Sequence, residues 1–221
     1  MTGTYRTTFD RELAQIRSNL VEMSQKVDGA IEQAVAAVAE RNLVTAHTVI
    51  SNDLEINQLR FKIEEACLVL IATQQPAARD LRTVVAIMHM VVELERMGDH
   101  AEGIAKTVVM MEHEPKLKTP KKILKMAQLS RQMLNDCIQA YLKQDMAWAR
   151  AIAAQDTEID HLYRTVFERL IELMAKHPNY IAVATYMSWC AHNLERIADR
   201  VTNMVEQIIF MNTGDVQELN P

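Results

Sequence analysis

Little in this 221-residue sequence suits it to building strands or to holding a small fold together by covalent links. Aromatic residues make up only 5% of it, alternating runs are few, and no Asn-Gly or Asp-Gly hairpin is written between such runs. Cysteine is scarce too. Cys67, Cys137 and Cys190 are an odd number in apolar surroundings with no CxxC spacing, which excludes a disulfide framework and points to a reducing cytosol. The opening MTGTYRTTFDREL has no apolar core of the kind an export signal needs, so no secretion is expected. The longest apolar stretch, Val84 to Val92, is interrupted by His89 and falls far short of the roughly 20 residues that span a bilayer. Excess positive charge is missing as well. A net charge of -5 and a pI near 5.8 argue against nucleic acid as a partner, because neutralising phosphates requires a basic face. The one locally basic tract, Lys116, Lys118, Lys121, Lys122 and Lys125, reads as a solvated linker and helix start.

What is abundant is helix-forming sequence. Pro76, Pro115, Pro120 and Pro178 separate long proline-free segments, roughly 9–41, 43–74, 77–113, 120–143, 146–176 and 179–212, rich in Ala, Leu, Met, Glu, Gln, Lys and Arg. Thr119 before Pro120 reads as an N-cap, Asp145 as another, and Asn212-Thr213-Gly214 as a stop. Six long helices with short joins predict an all-α, antiparallel bundle fold. The segments also repeat. ELERMGDH at 93–100 is answered by NLERIADR at 193–200, and Asp53-Leu54-Glu55-Ile56-Asn57 by Asp156-Thr157-Glu158-Ile159-Asp160. A period near 100 residues is longer than that of solenoid repeats, so the expectation is two tandem, repeat-related three-helix bundles, 1–114 and 115–221, joined by a linker over Glu112 to Thr119.

The repeated strings carry the candidate chemistry. On a helix, positions four apart share a face, so Glu95 stacks beside Asp99 and Glu195 beside Asp199. Ile87, Val91, Leu94, Gly98, Ala101, Ala105 and Val108 trace a core seam along the third segment, and Glu95 and Asp99 border it. Gly98 and its counterpart Ala198 are small enough for a neighbouring helix to come close. That neighbour offers Asp156 with Asp160 in one repeat, and Asp53 with Asn57 in the other. Carboxylates without cysteine select hard cations such as Mg, Ca or Mn, and can hold iron. The alternative is that Arg96, Arg196, Arg200 or arginines of adjacent helices pair with these acids as ordinary ion pairs at a bundle edge. A single Glu158-x-x-His161 lacks the second copy that di-iron bundles use. No activated nucleophile and no Gly-rich phosphate loop is present. The fourteen methionines, among them Met88, Met90, Met97, Met110 and Met111, read as core filler.

Taken together, Phe9-Asp-Arg-Glu-Leu, Gln75-Pro-Ala-Ala-Arg-Asp-Leu-Arg82 and the two Leu-Glu-Arg-X-X-Asp strings resemble the PhoU family of phosphate-transport regulators over nearly the whole chain. The resemblance implies a pair of three-helix bundles. It also implies multinuclear metal binding, found in some members, at Glu95 and Asp99 and at Glu195 and Asp199. The implied protein is a cytoplasmic, non-enzymatic adaptor, often dimeric. It would restrain phosphate uptake and the starvation response by touching the ATPase of the phosphate ABC transporter and the phosphate-sensing histidine kinase, and would reach the membrane only through those partners. Two departures from the family pattern stand out: Ala198 where Gly is usual, and Asn57 where the other repeat has Asp160. The competing readings are a carboxylate-bridged metalloenzyme, an oxidase or hydrolase, and a plain helical scaffold with solvated acids.

Overall fold

The computed structural model describes residues 2–219, with side chains from Thr7 onward; Met1, Asn220 and Pro221, at the outer limits of the two expected halves, lie outside the described residues. Among those described, seven α-helices follow one another: α1 (Thr2–Glu40), α2 (Leu43–Gln74), α3 (Arg79–Met110), α4 (Lys121–Lys143), α5 (Met146–Ala153), α6 (Asp156–Lys176) and α7 (Ile181–Thr213). One turn of 3-10 helix, Pro178–Tyr180, precedes α7, and there is no strand among the described residues. The six expected segments are all helical. The fifth bends at Ala154–Gln155, where the backbone N–H of Gln155 reaches Ile152 O and that of Glu158 reaches Gln155 O, both at 3.0 Å, tightening one turn and separating α5 from α6.

Local chemistry explains two of the helix starts. Asp145 caps α5 as expected, its Oδ1 accepting from the Trp148 N–H at 2.9 Å, and Asn42 caps α2 in the same way through Thr45 N–H at 3.1 Å. Thr119 does not cap α4. Pro120 is itself extended (φ −56°, ψ 130°) and occupies the capping position, so Thr119 stands one residue too early; its hydroxyl faces Val38 O of α1 at 3.4 Å instead. Arg41 and Gln144, 103 residues apart, both adopt left-handed backbone (φ 52° and 55°) to turn the chain between the first and second helices of each repeat.

α3 and α7 form the most extensive helix pairing. α1 and α2 flank α3, while α4, α5 and α6 flank α7, so the two central helices weld both halves into one core. Leu94, Met97, Ala101, Leu194, Ile197 and Ala198 are fully buried along that seam. Polar side chains cross it in a pattern that relates the repeats. His100 Nδ1 lies 3.0 Å from Asn193 Oδ1, and at the corresponding place Arg200 Nη1 lies 3.4 Å from Glu93 Oε2, which also accepts from Asn203 Nδ2 at 3.0 Å. Residue 93 therefore meets 200, and 193 meets 100, as expected of a near two-fold axis between antiparallel α3 and α7.

Replacing Asp145 by Ala is expected to cost about 1 kcal/mol, lowering the thermal midpoint by about 2–4 °C. Thr119→Val, which keeps the shape but removes a long hydrogen bond, should cost less than half as much. Equal losses in thermal denaturation would contradict the assignment of the cap to Asp145 and not to Thr119.

Candidate functional site

The acids of the first repeat gather where α3 meets α2. Gly98 permits the approach: a Cβ there would stand 3.2 Å from Ile56 Cδ1 and 3.3 Å from Asp53 Oδ1. Asn57 donates to Asp53 Oδ2 at 2.7 Å, leaving Asp53 Oδ1 buried with no hydrogen-bond partner. Arg60 of α2 bridges Glu95 Oε1 (2.7 Å) and Glu64 Oε1 (3.1 Å), and Lys106 donates to Glu102 Oε2 at 2.6 Å. Burial first, then the charges of Glu102 and Glu95, pushes the Asp53 carboxyl above the ordinary carboxylate range. Burial and then Glu95 and Asp53 do the same to Asp99. Beside Asp53 a cleft of about 180 Å³ opens, lined by Lys26 and Gln33 of α1, Asn52 of α2 and Gly98 of α3.

The second repeat builds its cluster where α7 meets α6. Asp156, the first residue of α6, is 7% exposed. A helix N-terminus favours a charged carboxylate, yet burial outweighs it and, with Asp199, Asp160 and Glu195 nearby, raises the Asp156 pKa to about 7. Asp160 is raised by burial and then Asp199, and Glu195 by burial and then Asp199. Glu195 Oε2 is buried with no hydrogen-bond partner; His192 Nδ1, at 3.4 Å, makes only a loose ion pair with it when protonated. Arg196 Nη1 reaches Asp199 Oδ2 at 2.7 Å. A cleft of about 320 Å³ lies against Arg150, Asp156, Thr157, Asp160 and Thr202.

All seven acids singled out in the sequence thus fall in two places, Asp53, Glu95 and Asp99 in one and Asp156, Asp160, Glu195 and Asp199 in the other. They do not lie on unrelated faces, although Asp99 is exposed, and the arginines only partly answer them. Arg196 does pair with its own motif, but Arg96 (3.0 Å) and Arg200 go to Glu93, and Glu95 is met by Arg60 from across the helix interface. Glu158 and His161 lie exposed on α6, with Glu158 paired to Lys125. The repeat does not single out Glu102 and Lys106, because the other half places Thr202 and Glu206 at those positions; their signal is spacing, Glu102 lying three residues beyond Asp99 on the same face. An all-oxygen donor set suits a hard cation. Among the described residues, however, no three His, Cys, Asp or Glu side chains converge as a ready-made ligand set.

The fold recurs in known proteins. The family model for the PhoU domain matches residues 20–108 and again 123–208. The chain belongs to the PhoU family. A phosphate-specific transport system accessory protein PhoU homolog of Streptococcus pneumoniae is 34% identical over 215 residues, 97% of this chain and 100% of that one. The homolog of Aquifex aeolicus is 34% identical over 206 residues, 93% of each. Among solved structures, the phosphate transport system regulatory protein PhoU from Streptococcus pneumoniae superimposes with a TM-score of 0.89 at 32% identity, covering 95% of this chain and 99% of that one. PhoU from Pseudomonas aeruginosa gives 0.88 at 30% identity, over 94% and 100%. The family's pair of helical bundles is therefore the fold of this chain.

The Asp156 environment has a measurable consequence. An acid whose pKa is raised from 3.8 to about 7 on folding takes up a proton between those values. Its contribution to stability is full below the lower value and is lost as pH rises through the upper one. With chelator present, unfolding free energy from urea titrations should fall between about pH 4 and about pH 7, and Asp156→Asn, facing the same Asp160, Glu195, Asp199 and Arg196, should flatten most of that fall. Identical pH slopes for the two proteins would remove Asp156 as its source.

Proposed function

We propose that this chain is an accessory regulator of phosphate transport that restrains uptake and the phosphate-starvation response when phosphate is plentiful. In this reading it works in the cytoplasm without turnover of its own, as an adaptor between the ATPase of a phosphate ABC transporter and the phosphate-sensing histidine kinase. The observation that carries the reading is the near full-length similarity, at 34% identity, to proteins named as phosphate-specific transport system accessory proteins. No helix among the described residues is long and apolar enough to cross a membrane, so the reading has the chain meet the transporter through protein contacts. Exposed apolar side chains suit that work: Leu54, Phe61 and Leu68 recur every seven residues on α2, and Phe167 and Trp189 stand out from α6 and α7. A second copy of the chain is one further occupant of such faces. The halves 1–114 and 115–221 act in this reading as two related units with different charge.

The acids enter the same reading as sites for a hard cation such as Mg, Mn, Ca or iron, held by Asp53, Glu95 and Asp99 in one repeat and by Asp156, Asp160, Glu195 and Asp199 in the other. Their oxygens fit such an ion chemically, and Asp53 Oδ1 and Glu195 Oε2 are buried acceptors without hydrogen bonds. A bound cation would supply positive charge to carboxylates that the helices hold against one another. Rotation of these side chains is needed to bring three of them onto one ion.

Deleting the gene should leave phosphate-responsive transcription switched on in high phosphate. A reporter that stays repressed in the deletion strain would rule out the regulatory role. Separately, elemental analysis of protein purified without chelator should find metal that falls by at least about half in Glu95→Ala/Glu195→Ala. Equal metal in the variant, or about none in either protein, would set the cation sites aside while leaving the regulatory result intact.

A further inference from the structure

The family match ends at residue 208, and the segment after it follows a path with no counterpart in the first half. α7 stops at Gly214, whose φ of 86° is the left-handed turn that reverses a chain after a helix. Residues 215–219 then run back along α7. Two tethers hold them: Arg150 Nη2 of α5 donates to Gln217 Oε1 at 2.9 Å, and the backbone N–H of Leu219 donates to Glu206 Oε1 of α7 at 2.7 Å. Leu219, partly buried against the core, forms one wall of the cleft that also contains Ala153, Asp156, Asp160 and Thr202.

The segment at the corresponding place in the first repeat is the linker after α3, and it is held elsewhere. Arg41 donates to the carbonyl oxygens of Met111 (3.0 Å), Glu114 (2.8 Å) and Pro115 (2.8 Å), drawing the linker to the α1–α2 turn. The cleft beside Asp53 is lined by α1, α2 and α3 alone. Sequence differences between the repeats fit this contrast: position 106 is Lys, paired with Glu102, whereas position 206 is Glu, free to receive a backbone N–H.

We propose that residues 214–219 form a strap that narrows the cleft at Asp156 and Asp160, with Leu219 as its wall, so that small molecules and ions reach the cleft floor at Thr202 faster when the strap leaves Arg150 and Glu206. The first cluster has no such cover. This holds whether or not either cluster takes a metal and whether or not the chain regulates phosphate uptake, because it rests only on where the tail lies.

Thiol labelling tests it. Thr202, 2% exposed and lining the cleft, is changed to Cys in the full chain and in a chain ending at Gly214, and alkylation by iodoacetamide is followed by mass spectrometry. The three native cysteines are buried, with thiol pKa values pushed up to about 12, so they give little background. Removing the tail should speed labelling at Cys introduced at 202 by about tenfold or more, and Arg150→Ala with Glu206→Ala in the full chain should act in the same direction. Ala153→Cys reports on the opposite wall and serves if Thr202→Cys does not fold. Asn52→Cys, at the first cleft, should label at the same rate with and without the tail. Unchanged labelling at both 202 and 153, or labelling that rises equally at Cys67, Cys137 and Cys190 because the whole fold has loosened, would overturn the proposal.

Discussion

Two helices, α3 and α7, must be buried against each other and at the same time each serve as the centre of its own bundle. That double demand organises the rest of the molecule. A helix that packs on two sides has only narrow flanks left for polar groups, and both copies of the Leu-Glu-Arg-X-X-Asp string distribute their residues accordingly. Leu94 and Leu194 lie in the core, Gly98 and Ala198 keep the helices close, and residues 93, 100, 193 and 200 face across the seam. Glu95, Asp99, Glu195 and Asp199 take the flank that remains, facing the second helix of each bundle. Their partial burial follows from the packing of the seam and requires no separate cause.

The repeats share this skeleton but balance their charges differently. In the first, Arg60 and Lys106 supply cations within the cluster itself, and Asn57 donates a neutral hydrogen bond to Asp53. In the second, Asp160 replaces the amide, Glu206 replaces the lysine, and Asp156 is the most deeply buried member. The first cluster thus meets its acids with Arg60 and Lys106, whereas the second meets Asp199 with Arg196 and holds the Asp156 carboxyl well above its ordinary range by burial. The two bundles thus share a skeleton but differ in charge arrangement, as they differ in the courses of the segments that follow α3 and α7.

Most of the architecture is legible in the sequence, because it is written in local terms. Prolines mark the joins, helix formers fill the segments, and the 100-residue offset relates the halves. The seam from Ile87 to Val108 follows from spacing alone, as does the cap at Asp145. What escaped was non-local. Ala154 and Gln155 are good helix formers, so the bend between α5 and α6 comes from tertiary packing against α7 and not from the residues that bend. The cap of α4 differs from the expectation at Thr119 because a proline at a helix start can occupy the cap or the first turn, and only the backbone angle of Pro120 decides between them. The seven acids were found by their four-residue spacing, yet which cation answers them depends on which helix stands opposite. Arg60 lies 35 residues from Glu95, whereas Arg96 beside it in sequence turns to Glu93.

The size of the electrostatic effect indicates what such acids do to the packing of a helical protein. Two like charges four residues apart on a solvated helix cost a few tenths of a kcal/mol. A pair about 4 Å apart at an effective dielectric constant near 20 repels by roughly 4 kcal/mol. Partial burial moves these clusters from the first regime toward the second. Since the repulsion acts between an outer helix and a central one, neutralising a cluster strengthens the α2–α3 or α6–α7 contact and leaves the α3–α7 seam as it was. A change of charge at either cluster is therefore felt in one bundle at a time, on the outer helices α2 and α6 that also carry exposed apolar side chains.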